Sequence, residues 1–206
     1  HGMCGPGGGG FMTLYNAKTG ESKFINFREK APAAATPGMW KLDDEGNVID
    51  NEKVIGGKSE GVPGTVAGLL HILEKYGTMD RAQVIQPTID LANNGITITP
   101  VWNKDVDSAG DRIEMEEFKQ LFLKDGLPYE VGEIFKNPDY AKTMEIIRDK
   151  GRDGFYTGEL AEAIVAADNK YNGLMTMEDL AAYEVEEMEP VKGTYRGYEI
   201  ISSPTP

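Results

Sequence analysis

The stretch GGGGFMTLYNAKTGESKFINFREK, residues 7–30, opens on four consecutive glycines and carries two apolar runs rich in aromatic residues and a charged exit. Phe11 to Asn16 and Lys23 to Phe27 favour extended backbone, and Ala17-Lys18-Thr19-Gly20 between them is a polar turn ending in glycine. The reading is a β-hairpin. Four consecutive glycines ahead of the first strand mean that the backbone passes close to another strand or to a ligand, where a Cβ would be in the way. Arg28, at the end of the second strand, presents a planar fork of donors suited to a carboxylate. On the residues alone, an ordinary ion pair is the simpler role for it.

Beyond the hairpin, Ala31 to Pro37 holds four alanines and two prolines and is expected to be irregular. An acidic turn, Asp43 to Asn47, and a flexible connector, Gly56 to Gly64, follow. From Val62 the period changes. Val66, Leu69, Leu70 and Leu73 keep helical spacing up to Gly77, and Ala82, Ile85, Ile89 and Ala92 continue it in a second helix ending at Asn94-Gly95. Met115 to Leu123, Tyr140 to Lys150, Glu159 to Ala167 and Met177 to Tyr183 are further helices, the last with Thr176 and Asp179 spaced as a capping box. Tyr195 to Ser202 returns to a strand pattern. Two strands, many helices and a final strand make an α+β chain whose end strands are expected to share one sheet. The chain opens on His1 and stops at Pro206 within an apolar run. Residues 1–206 therefore read as a single incomplete domain, a segment of something longer.

Composition narrows the function classes. Of 206 residues, 34 are acidic and 21 are Lys or Arg, a net charge of −13, which argues against a nucleic-acid footprint or a polybasic membrane contact. No run approaches the roughly 20 apolar residues of a membrane span. One cysteine, Cys4, allows no internal disulfide; with no histidine near it to activate a thiolate, it reads as a small apolar filler. His1 and His71 have no chelating spacing, and His71 reads as a half-buried or surface histidine; no metal or cofactor is called for. The acidic runs Asp43 to Glu45 and Glu184 to Glu189 lack a calcium-loop pattern and read as solvated faces.

Two glycine motifs fail on context. Gly5-Pro6-Gly7-Gly8-Gly9-Gly10 matches the dinucleotide fingerprint, but it runs into a strand where the fingerprint needs a helix N-terminus. Gly57-Lys58-Ser59 looks like the end of a phosphate loop, but the glycine required five residues earlier is Glu52.

Seven ordered blocks carry a resemblance: GGGGFM, NFREKAP, GVPGTVAGL at 61–69, KYGTM at 75–79, GFYTGELAEAIV at 154–165, GLMTMEDLAAY at 173–183 and YRGYEIISSPTP at 195–206. Together they are similar to the large subunit of the γ-glutamyltransferases, also called γ-glutamyltranspeptidases or glutathione hydrolases, along essentially the whole chain. The resemblance implies an N-terminal-nucleophile hydrolase with an αββα sandwich, made as a proenzyme that cuts itself into a large and a small subunit. It implies attack by the small subunit's N-terminal threonine on the γ-glutamyl amide of glutathione or a related compound, then transfer to water, an amino acid or a peptide. It implies that the arginine of the F-R-E block, here Arg28, clamps the donor's α-carboxylate, and that the protein is periplasmic or secreted. The nucleophile, the α-amine site and the oxyanion hole belong to the small subunit, so no catalytic residue is assigned in this chain; Thr65, Thr78 and Thr97 match no cleavage block. The alternatives are an acylase of glutaryl or cephalosporin side chains within the same family, and a non-catalytic relative that keeps the scaffold for binding.

Overall fold

The computed structural model describes residues 5–109 and 115–205. His1, Cys4 and the last residue, Pro206, lie outside this set, so the reading of Cys4 as a filler falls outside the described residues. In chain order the elements are β1 (Gly10–Asn16), β2 (Glu21–Phe27), α1 (Thr65–Tyr76), α2 (Arg81–Asn94), β3 (Ile96–Thr97), α3 (Pro100–Ala109), α4 (Glu116–Phe122), β4 (Leu123–Lys124), β5 (Leu127–Pro128), β6 (Ile134–Phe135), α5 (Pro138–Tyr156), α6 (Glu159–Lys170), α7 (Met177–Ala181), β7 (Glu186–Met188), β8 (Val191–Tyr195) and β9 (Tyr198–Ser202). The chain is α+β, as its pattern predicts. It divides into two compact units, residues 5–78 with 152–205, and residues 79–151.

In the first unit the expected hairpin forms, with β1 and β2 antiparallel from Gly10↔Phe27 to Asn16↔Glu21. The turn closes because the carbonyl of Asn16 accepts from Thr19 and Gly20, and Gly20 sits at φ 74°, a conformation glycine adopts without a Cβ penalty. The β2 strand is buried at Phe24, Ile25 and Phe27, each contributing about 1.5–3 kcal/mol by leaving water. Packed into the same core are Val66, Ala67 and Leu70 of α1, along with Tyr156, Ala161, Leu180 and Tyr183. The capping box at the start of α7 is present: Thr176 Oγ1 accepts from Asp179 N at 3.1 Å, and Asp179 Oδ2 accepts from Thr176 N at 2.9 Å.

Two expectations are corrected. The end strands do not share a sheet. The third strand beside β2 is β7, paired from Phe24↔Met188 to Asn26↔Glu186, while the terminal segment folds on itself as the β8–β9 hairpin. Arg196 (φ 49°) and Gly197 (φ 83°) make that second turn, since positive φ at both central residues matches the twist of a tight hairpin. The acidic run Glu184 to Glu189 is accordingly not just a solvated face: its middle is β7. Three of its four carboxylates form ion pairs, Glu186 with Lys30 at 3.1 Å, Glu189 with Lys23 at 2.6 Å and Glu187 with Lys75 at 2.7 Å. A polar strand is suited to a sheet edge because neighbouring cations neutralise it without burial.

In the second unit α2 stops at Gly95 as expected, and α3 is an addition to the predicted helices. Thr99 supplies its start, accepting from Trp102 N at 3.2 Å, with Pro100 at the first helical position, where its missing N–H costs nothing. Trp102 anchors an aromatic cluster with Phe122, Tyr129 and Phe135, at ring separations of 5.4–6.2 Å. The α5 helix breaks at Gly151 (φ 64°, ψ −142°). Arg81 finishes its first part, donating from Nε to the carbonyl of Arg148 at 2.6 Å and from Nη2 to that of Asp149 at 3.3 Å, which satisfies carbonyls that a helix end leaves without partners. No described helix is long and apolar enough to cross a membrane.

Candidate carboxylate-binding site at Arg28

Arg28 follows the last residue of β2. Its guanidinium lies over the Phe11 ring, 5.8 Å from the centroid, and Phe11 stacks on Phe24 at 5.7 Å. Stacking on an aromatic face orients the planar fork without using its donors. Arg28 is exposed, and among the described residues its guanidinium has no carboxylate partner. The ordinary ion pair that the sequence favoured is therefore absent among them. The nearby acid of β7, Glu186, is engaged elsewhere, by Lys30 Nζ at 3.1 Å and by Asn26 Nδ2 at 3.3 Å. The donors of the Arg28 fork therefore face no carboxylate among the described residues.

The glycines explain how closely this segment is held. A Cβ on Gly9 would lie 2.6 Å from Glu29 N and 2.7 Å from Phe27 O, and one on Gly10 would lie 2.9 Å from the Phe27 ring. The second glycine block approaches the same segment: a Cβ on Gly64 would meet Phe27 O and Tyr183 Oη at 2.1 Å, and one on Gly68 would meet Phe27 Cγ at 2.2 Å. The two blocks are tied together, the carbonyl of Gly8 accepting from Gly64 N and Thr65 N at 2.9 Å each. The glycine-rich opening thus packs against the arginine-bearing strand, in line with the close-approach reading.

Around Arg28 the backbone is pinned by side chains. Its N–H donates to Asn26 Oδ1 at 3.0 Å, and its carbonyl accepts from the Tyr183 hydroxyl at 2.8 Å. Main-chain pairing resumes at Lys30, which exchanges bonds with Val62 at 3.2 and 2.8 Å. Tyr183 stacks on Tyr156 at 5.8 Å and 15°, and the Tyr156 hydroxyl donates to Pro63 O at 2.8 Å while accepting from Ala67 N at 3.2 Å. Arg152 covers the Tyr156 ring and donates to Tyr183 O at 2.6 Å. Burial raises both phenols, Tyr156 to about 12, so both remain donors through the neutral range. Sequence reasoning singled out neither tyrosine; the only available sign was that both sit within matched family blocks.

The remaining candidates resolve simply. Lys58 of the phosphate-loop look-alike pairs with Glu52 at 3.2 Å and donates to Met39 O at 2.8 Å, so the residue that breaks the motif also neutralises its lysine. His71 lies 2.6 Å from Glu187 and is partly exposed, matching its half-buried reading. A separate open cavity of about 450 Å³ is lined by His71, Glu74, Arg152 and Glu184 among others, and Arg28 is not part of its wall. Among the described residues no group of three or more His, Cys, Asp or Glu could hold a metal ion.

The γ-glutamyltranspeptidase family model matches residues 1–206. The glutathione hydrolase proenzyme of Pseudomonas sp. strain A14 is 42% identical over 205 residues, covering 97% of this chain and 35% of that protein. The crystal structure of Helicobacter pylori γ-glutamyltranspeptidase superposes with a TM-score of 0.92 at 43% identity, covering 97% of this chain and 57% of that one. An acylase proenzyme of Pseudomonas sp. strain SE83 is 35% identical over 210 residues, covering 99% of this chain and 38% of that protein. The chain belongs to the γ-glutamyltranspeptidase family. The chain spans about a third of the length of these curated relatives.

Proposed function

We propose that this chain is the donor-orienting part of an enzyme that cleaves γ-glutamyl amides such as glutathione, with Arg28 holding the α-carboxylate of the γ-glutamyl group. The observation that carries this reading is the exposed guanidinium of Arg28, stacked on Phe11, fixed through its backbone, and left without a carboxylate among the described residues. In a chain of net charge −13, a local cation is what lets an anionic substrate bind against the overall field. The attacking group is assigned to the N-terminal threonine of a small subunit cut from the same proenzyme, and the acyl group passes from it to water, an amino acid or a peptide. No residue of this chain is proposed as nucleophile.

The test uses the complete gene product, assayed with γ-glutamyl-p-nitroanilide and with 4-aminobutanoyl-p-nitroanilide, which lacks only the α-carboxylate. Arg28→Ala is expected to lower kcat/KM for the first substrate by the equivalent of about 2–5 kcal/mol, the cost of removing one partner of a desolvated charge pair, and to leave the second nearly unchanged. An unaltered KM for the γ-glutamyl substrate overturns the assignment. The acylase relative favours a second reading, an acylase, for which the family resemblance implies glutaryl or cephalosporin side chains. Preference for a glutaryl anilide over the γ-glutamyl anilide by the unmutated enzyme would establish that reading instead.

A further inference from the structure

We propose that Tyr183 is a positioning residue for Arg28, its hydroxyl standing in for the strand neighbour that Arg28 lacks. The inference rests on the reading of Arg28 as the carboxylate clamp. Both ladders of the central strand end just before this residue: β1 pairs with β2 as far as Gly10↔Phe27, and β7 as far as Asn26↔Glu186. Pairing begins again only at Lys30↔Val62. Arg28 therefore sits in a gap where, among the described residues, the sheet supplies it with no main-chain partner. A binding fork must be held within about half an ångström of its productive position, and a gap in the ladder is where such precision is lost.

Two side chains fill the gap from opposite sides. Asn26 Oδ1 takes the Arg28 N–H, and Tyr183 gives its O–H to the Arg28 carbonyl at 2.8 Å. Tyr183 suits the task because it is held on several sides: it is 2% exposed, stacked on Tyr156, and bonded through its own carbonyl to Arg152. Lys30 Nζ lies 5.4 Å from its ring centroid. Gly64 keeps clear the space through which the hydroxyl passes, since a Cβ there would lie 2.1 Å from both that oxygen and Phe27 O. The stacked tyrosines hold both sides of the Lys30–Val62 bridge, Tyr183 through Arg28 O and Tyr156 through Pro63 O. A phenylalanine would fill the same core volume and keep the stack. Among the described residues, the hydroxyl's hydrogen bond is the one to the Arg28 carbonyl.

The experiment compares Tyr183→Phe with the unmutated complete gene product on the two anilides, alongside thermal melting. Loss of one neutral hydrogen bond corresponds to about a 2- to 12-fold effect. The expected signature is a rise of that size in KM for γ-glutamyl-p-nitroanilide, with kcat within about twofold and no comparable change on the carboxyl-free substrate. Asn26→Ala, which frees the Arg28 N–H on the other side and also releases Glu186 from Asn26 Nδ2, is expected to raise KM for the γ-glutamyl anilide alone by at least as much, and serves if Tyr183→Phe does not accumulate. An equal loss on both substrates, or a fall in kcat with unchanged KM, marks a merely structural tyrosine and overturns the proposal. If instead Arg28→Ala leaves substrate discrimination intact, the clamp reading fails, and that outcome is separate from the result for Tyr183.

Discussion

The Nε2 atom of His71 lies 2.6 Å from Oε1 of Glu187, the same oxygen that accepts from Lys75 Nζ at 2.7 Å and from the Tyr76 hydroxyl at 2.9 Å. One carboxylate on β7 thereby ties the last two turns of α1 to the edge of the sheet that carries Arg28. Hydrogen bonds from Lys75 and His71 hold the Glu187 carboxyl down at about 2, against an ordinary 4.5. A depressed folded value means stability that is complete above about pH 4.5 and lost as the pH falls through about 2. The size is at most about 3 kcal/mol, reduced by screening because 23% of the side chain is exposed. Glu187→Gln is expected to cost about 1–3 kcal/mol at pH 7 in urea unfolding, with the gap from the parent protein closing between pH 4.5 and 2. A gap that does not narrow over that range contradicts this account.

Gly68 faces the Phe27 ring so closely that an added Cβ would stand 2.2 Å from Cγ and 2.4 Å from Cβ. Gly68→Ala forces Phe27 aside, a cost of about 1–3 kcal/mol for overpacking, and Phe27 is the residue before Arg28. The variant is expected to melt lower and also to raise KM for the γ-glutamyl anilide. Unaltered melting and KM together would show that α1 can shift to make room.

Asp168 is buried at 2% exposure; Oδ2 accepts from Met175 N at 2.9 Å, and Oδ1 has no partner among the described residues. Burial pushes its carboxyl up. A raised acid destabilises the fold when ionised, so the penalty is complete above the folded value and relieved as the pH falls below it. Asp168→Asn keeps the acceptor for Met175 and removes the charge. It is expected to raise the melting temperature at pH 7, by roughly 1 kcal/mol of stability, and to lose that advantage at pH 4. Asp168→Ala leaves Met175 N–H unpaired and is expected to be about 1–3 kcal/mol less stable than Asp168→Asn; equal stability of the two variants would remove the bond's role.

Gly151 breaks α5 at φ 64° and ψ −142°, and a Cβ there would lie 2.3 Å from Arg81 Nη1. Gly151→Ala is expected to cost about 1–3 kcal/mol through strained backbone and to displace the guanidinium that closes the helix end. Hydrogen exchange near residues 148–152 would speed up in the variant. Protection equal to that of the parent protein would show that the break is not strained by a side chain.

Much of this architecture was legible along the chain. The hairpin could be read because its alternating aromatic strands and glycine-ended turn are local signals, and α1 and α2 because their apolar spacing and glycine stops are local too. The Thr176–Asp179 capping box was visible for the same reason. The α3 helix was missed: its polar stretch Asn103 to Ser108 hides the periodicity, although Thr99-Pro100 is a start signal. Arg28 was named only through the family blocks, and from residue type alone the ordinary ion pair was the better guess. Its partners Tyr183 and Asn26 went unnoticed. Asn26 looked like an ordinary strand residue, and Tyr183 lies 155 positions away from Arg28.

By itself, the sequence determined the α+β class, the helix and strand positions set by short-range periodicity and capping, and the family, through ordered blocks that chance does not assemble. Tertiary structure alone decided which strand completes the first sheet, that Glu186 is taken by Lys30 and Asn26 while Arg28 meets no carboxylate among the described residues, and that the Tyr183 hydroxyl donates to the Arg28 carbonyl. Periodicity reports which face of an element is apolar. It carries no information about which distant element covers that face, because that choice rests on shape, charge neutralisation and hydrogen-bond satisfaction among residues that meet only when the chain has folded.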